Sequence, residues 1–133
     1  MVLALIGSAC GGAKQGDCTS LMAVINDGLV ELENGRQQQK NDPTHTVELR
    51  AMSESLEKTS AKVGQLSITT PEVKALGDRY QAMVKEIAKS TREVNDAHEK
   101  GDVARLAKAQ SQLNEALKLE DPIVDDLNKL CSQ

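Results

Sequence analysis

Two histidines and three cysteines are the residues of this 133-residue chain best suited to chemistry. His45 has Asp42 and Glu48 three positions to either side, and His98 has Asp96, Glu99 and Asp102 close by. Imidazole mixed with carboxylate suits a transition metal, which makes His45 and His98 weak metal candidates. Their spacing argues against a di-metal centre, because helical bundles build such centres from Glu-x-x-His pairs. The nearest matches here are Asp42-x-x-His45 and Asn95-x-x-His98. Capping residues and solvated corner charges explain the same side chains, so no metal and no other cofactor is expected. The chain has no glycine-rich phosphate loop, no Cys-x-x-Cys and no Cys-x-x-Cys-His. Nothing selects a catalytic pair from its 20 acidic residues, and a non-catalytic protein is expected. Ser53, Ser55, Ser60 and Ser90 are expected on solvated helix surfaces. Tyr80 is expected in the core with its hydroxyl at the rim. Gln110 and Glu120 fall in an apolar seam, either as tolerated seam edges or, with Tyr80, as the lining of an interior pocket.

The cysteines divide into two near the start, Cys10 and Cys18, and Cys131 near the end. MVLALIGSA is apolar and closes on small residues just before Cys10, whereas GGAKQGD after it is polar, glycine-rich and without helical periodicity. An apolar segment ending in small residues is the back half of a secretory signal. With cysteine next, Gly7-Ser8-Ala9-Cys10 resembles the lipobox of bacterial lipoproteins, with Gly7 where that pattern most often has Leu. The resemblance covers only the first ten residues. It implies cleavage before Cys10, diacylglycerol on the Cys10 sulfur and a fatty acid on its amine, with a basic n-region expected upstream of Met1. Each buried methylene contributes about 0.8 kcal/mol, so several acyl chains make a lasting anchor. The resemblance also implies the bacterial cell envelope, at the periplasmic face or cell surface, with the membrane as one partner. The alternative is a frayed apolar N-terminus on a cytosolic helical adaptor.

Helices must position all of these groups. Apolar residues make up 39% of the chain and charged residues 27%, and Tyr80 is the one aromatic. A core without large rings is filled by Leu, Val, Ile, Met and Ala, which suits interdigitating helices. The formal net charge of −4 comes with Lys and Arg scattered among Asp and Glu, so nucleic acid is excluded as a partner.

The first helix is expected from Thr19 to Gln39, with Leu21, Ile25, Leu29 and Leu32 on one face, Val30 widening it, and Gly28 and Gly35 weakening it. Asp42 and Pro43 are placed to cap and start the second helix. Its seam reads Leu49, Met52, Leu56, Thr59, Val63 and Leu66, in steps of three and four. Thr69 or Thr70 caps the third, which begins at Pro71 and carries Val73, Leu76, Tyr80, Met83, Ile87 and Val94. Gly101 ends that helix and Asp102 starts the fourth, whose seam runs from Val103 through Leu106, Leu113 and Leu117 to Leu127. Asp121 and Pro122 should mark a bend, because proline cannot donate to the preceding turn.

Short corners between long amphipathic helices predict an all-α fold: an up-down-up-down antiparallel four-helix bundle with a kink or break near Pro122. An extended coiled-coil assembly is the other architecture these seams allow. In the bundle, Cys18 opens the first helix and Cys131 closes the fourth at the same end. If Cys10 carries lipid in an oxidising compartment, Cys18 and Cys131 remain as an even pair able to form a disulfide. Otherwise they are unrelated thiols, with Cys131 a small apolar core residue. The resulting organisation is a signal-peptide remnant at 1–9, a lipidated cysteine and tether of about 25 Å at 10–17, and the bundle at 18–133. The expected role is a structural or protein-binding module. A ligand- or metal-sensing bundle is the alternative, and it would need a real cavity.

Overall fold

The computed structural model describes residues 12–38 and 45–132. Five helices carry them: α1 (Gly12–Gln38), α2 (Thr46–Gly64), α3 (Pro71–Glu99), α4 (Val103–Leu117) and α5 (Glu120–Cys131). α4 and α5 are the halves of one broken fourth helix, so the expected bundle and its break are both present. α3 is central: α2 packs along one side, α4 and α5 along another, and α1 lies on α2 and meets α5. Five residues that the three-and-four spacing selects, Val73, Leu76, Tyr80, Met83 and Ile87, are buried on it, together with Val84, Ala88 and Ala97, whereas Val94, expected in the same seam, is only half-buried.

The break falls earlier than Asp121 and Pro122. α4 ends at Leu117, Lys118 is its C-cap, and Pro122 lies in the first turn of α5. A proline acts on the turn before it: it has no N–H for the carbonyl four residues back, here Lys118, and its ring crowds that carbonyl. The helix therefore yields at Lys118–Leu119, and Ile123 resumes the ladder on the Leu119 carbonyl at 3.3 Å. The α3–α4 corner matches expectation. Gly101 takes φ 64°, the left-handed conformation that glycine tolerates, and the Asp102 carboxylate accepts from the Arg105 N–H at 3.0 Å.

The start of α3 is capped from a distance. Thr70 is the N-cap residue but its side chain makes no capping bond. Instead Asp17 Oδ2, on α1, accepts from the Thr70 N–H at 2.7 Å and from the Thr69 N–H at 2.9 Å. These bonds favour the ionised carboxylate and hold the Asp17 pKa below its ordinary value. A depressed carboxylate stabilises the fold above its unfolded pKa, 3.8 for this group, and that contribution fades as pH falls through the folded value. Asp17→Asn should therefore melt below the wild type at about pH 7, with the gap narrowing as pH falls below the unfolded value of 3.8. Thermal melts across that range check it, and a gap independent of pH contradicts it.

The first helix is described from Gly12, so residues 12–17, expected as a short tether without helical periodicity, are helical. Ala13, Lys14 and Gln15 are good helix formers, and propagation from a fixed turn adds one hydrogen bond per residue. Asp17 and Cys18 fix that turn, both being buried at the bundle's base. The buried face of α1 is Cys18, Leu21, Ile25 and Gly28. Leu29 and Val30, expected on or beside it, are 47% and 59% exposed. Gly28 marks a close approach rather than a weak point: a Cβ built there would lie 2.5 Å from Thr59 Oγ1. The expected α1 end at Gln39 and the Asp42–Pro43 start of the second helix fall outside the described residues. α2 as described begins after His45, its N-cap residue at φ 55°.

The serines also differ from expectation. Ser53, Ser60 and Ser90 are buried, and Ser55 is half-buried. They occupy closely packed seams where small side chains let helices approach. Ser53 Oγ donates to the Ala88 carbonyl across the α2–α3 seam at 3.2 Å. The buried hydroxyls of Ser60 and Thr91 have no hydrogen-bond partner, an unfavourable consequence of so close a seam. Leu49, Met52 and Leu56 are only half-buried, and Val103 and Leu117 are exposed.

Candidate functional site

One end of the bundle is tied twice by neighbouring residues. Asp17 holds the α2–α3 corner, and Cys18 is disulfide-bonded to Cys131, with their Cα atoms 5.6 Å apart across a sequence separation of 113. The pairing is the one that bundle topology anticipates. Cys10, the expected lipidation site, lies outside the described residues. Among the described residues, no helix is long and apolar enough to cross a membrane.

His45 and His98 do not assemble a ligand set. His45 Nδ1 lies 2.9 Å from Glu48 Oε2 at an exposed helix start. His98 is exposed in the last turn of α3, while its neighbour Glu99 lies 3.8 Å from Arg50. Among the described residues, no group of three or more His, Cys, Asp or Glu side chains converges as a metal site.

Nor do Gln110 and Glu120 line a pocket with Tyr80, the alternative to their being tolerated seam edges. Gln110 is exposed on α4, and the surface depression that it lines includes neither of the others. Tyr80 is buried, and its phenol is pushed up to about 12, first by burial and then by the Glu120 carboxylate. Burial without a stabilising cation leaves it a neutral core residue near neutral pH.

A different concavity exists. Where α4 gives way to α5, the elbow leaves a groove of about 650 Å³ against α3, within the usual range for small-ligand pockets. Its apolar surface comes from Met83 on α3, Ala116 on α4, and Leu119, Pro122 and Ile123 at the elbow. Met83, Ala116 and Ile123 are buried, whereas Leu119 stands at the lip, 52% exposed. Three charged groups edge it: Arg79, Glu86 and Glu115. The Arg79 guanidinium is matched by Asp126 at 2.9 Å, and Glu115 by the Lys118 ammonium at 2.6 Å. Glu86 is held loosely, with Lys89 at 3.9 Å and the Ser90 hydroxyl at 3.5 Å. Sequence spacing marks the Pro122 break that makes the groove, but the opposing residues at 79, 83 and 86 carry no local signal of it.

Compared with family models, curated proteins and solved structures, the chain has no match in any of the three.

Proposed function

We propose that this chain is a non-catalytic lipoprotein of the bacterial cell envelope, anchored through Cys10, whose four-helix bundle serves as a structural or protein-binding module. The observation that carries this reading is the cysteine arrangement. Gly7-Ser8-Ala9-Cys10 resembles a lipobox, and the Cys18–Cys131 bridge leaves Cys10 as the one cysteine outside the disulfide. A disulfide closing a domain fits an oxidising compartment, as does lipidation of an exported cysteine.

In this reading residues 1–9 are removed and Cys10 carries the acyl chains. Residues 12–17 then form a short helical stalk, rising about 9 Å from Gly12 to Cys18 at 1.5 Å per residue. The doubly tied base faces the membrane, and the Gly101–Asp102 corner points away from it. Labelled palmitate fed to expressing cells should appear on the protein, and Cys10→Ser should abolish both label and membrane retention. An unlabelled protein recovered wholly in the soluble fraction overturns the proposal.

A further inference from the structure

We propose that the elbow groove binds a small apolar cation, an alkyl chain lying on Met83, Ala116 and Ile123 with its ammonium against Glu86. This binding site is independent of the anchor at Cys10. Charge decides the ligand class. Arg79 already has the Asp126 carboxylate at 2.9 Å, and Glu115 has Lys118 at 2.6 Å, so neither calls for a counter-ion. Glu86 is half-buried beside the apolar floor, and its nearest cation, Lys89, stands 3.9 Å away and mostly in water. A ligand ammonium over the groove can approach Glu86 more closely than that and form a charge-assisted hydrogen bond. An anion would instead meet the loosely paired Glu86 carboxylate, with Arg79 already engaged by Asp126. A carboxylate beside an apolar floor attracts a cation and repels an anion.

Size points to a small molecule rather than a second copy of the chain. The groove runs from Arg79 to Glu86 on α3, seven residues or about 10 Å. A patch that short covers only a fraction of the surface a stable dimer buries, about 800 Å² per partner. The floor suits a flexible chain: Met83 adapts its thioether to irregular shapes, and Leu119 at the lip can fold over the bound alkyl group.

The test is amide chemical-shift mapping of the full, disulfide-closed chain with octylammonium, octanoate and octanol, each below its aggregation threshold. Octylammonium should give saturable shifts centred on Met83, Ala116, Leu119 and Ile123, with octanoate and octanol binding at least about tenfold more weakly. Glu86→Gln should weaken octylammonium about tenfold while leaving the thermal melt unchanged, and Glu115→Gln should change it little. Absence of saturable shifts overturns the proposal. So does equal binding of the three probes, or an unaltered affinity in the folded Glu86→Gln variant.

Discussion

Cys131→Ser should lower the unfolding free energy by about 4 kcal/mol and the melting temperature by about 10–20 °C. The bridge it removes spans a sequence separation of 113, and the chain-entropy account gives a loop that long one of the largest stabilisations a disulfide can supply. The native state has little else to hold its last helix. α5 buries Ile123 and Leu127 and packs Leu130 partly buried against the core, and its outer surface adds one exposed ion pair to α3, Arg79 with Asp126. Exposed pairs of that kind contribute about 0–1 kcal/mol. With the bridge gone, α5 should fray first, so amides of residues 123–131 lose exchange protection while Val84 and Ile87 in α3 keep theirs. A thiol reductant should bring the wild type down to the variant's melting temperature and leave the variant itself unmoved. Equal melting of wild type and Cys131→Ser without reductant would mean the two sulfurs contribute nothing as a bond.

The core face of α3, its corner with α4 and the meeting of Cys18 with Cys131 were readable in the sequence because their signals are local or topological. Six apolar residues of α3 repeat at helical spacing; five are buried and the sixth, Val94, is half-buried. Gly101 and Asp102 carry corner chemistry in their own residue types. The cysteine pairing follows once four helices return the chain to its starting end. What escaped depends on contacts between residues distant in sequence. Ser53, Ser60 and Ser90 look like surface residues by type, yet small side chains let two helices approach, and only the partner helix shows that approach. Asp17 sits on a stretch with no apolar pattern, and its task of capping the start of α3 involves residues 52 and 53 positions away. Leu29 is apolar and correctly spaced but exposed, since periodicity says which residues share a face and not whether a neighbour covers it. The groove combines both cases. Proline predicts a break, whereas the wall opposite belongs to a helix chosen by the tertiary fold.

Gly28→Ala shows how such a close approach governs stability. Alanine is the better helix former by about 1 kcal/mol, so propensity alone makes this substitution favourable. Packing opposes it. The new methyl would lie 2.5 Å from Thr59 Oγ1 and 2.8 Å from Thr59 Cγ2, well inside van der Waals contact, and α1 must move off α2 or Thr59 must leave its rotamer. Overpacking of this kind costs about 1–3 kcal/mol, and the Thr59 hydroxyl would also give up its bond to the Ser55 carbonyl at 3.1 Å. The net expectation is a loss of about 1–2 kcal/mol. Thr59→Ala removes both clashing atoms and leaves Thr59 Cβ at 3.2 Å, a contact that a shift of a few tenths of an ångström relieves. Thr59→Ala alone should be mildly destabilising because it opens a gap opposite Gly28. Together the two substitutions should restore wild-type stability or exceed it, since the methyl introduced by Gly28→Ala fills that gap and the helix gain is kept. Urea titrations of the four proteins give the coupling energy directly, expected at about 1–3 kcal/mol in favour of the pair. Additive effects would mean that α1 and α2 do not touch at this point.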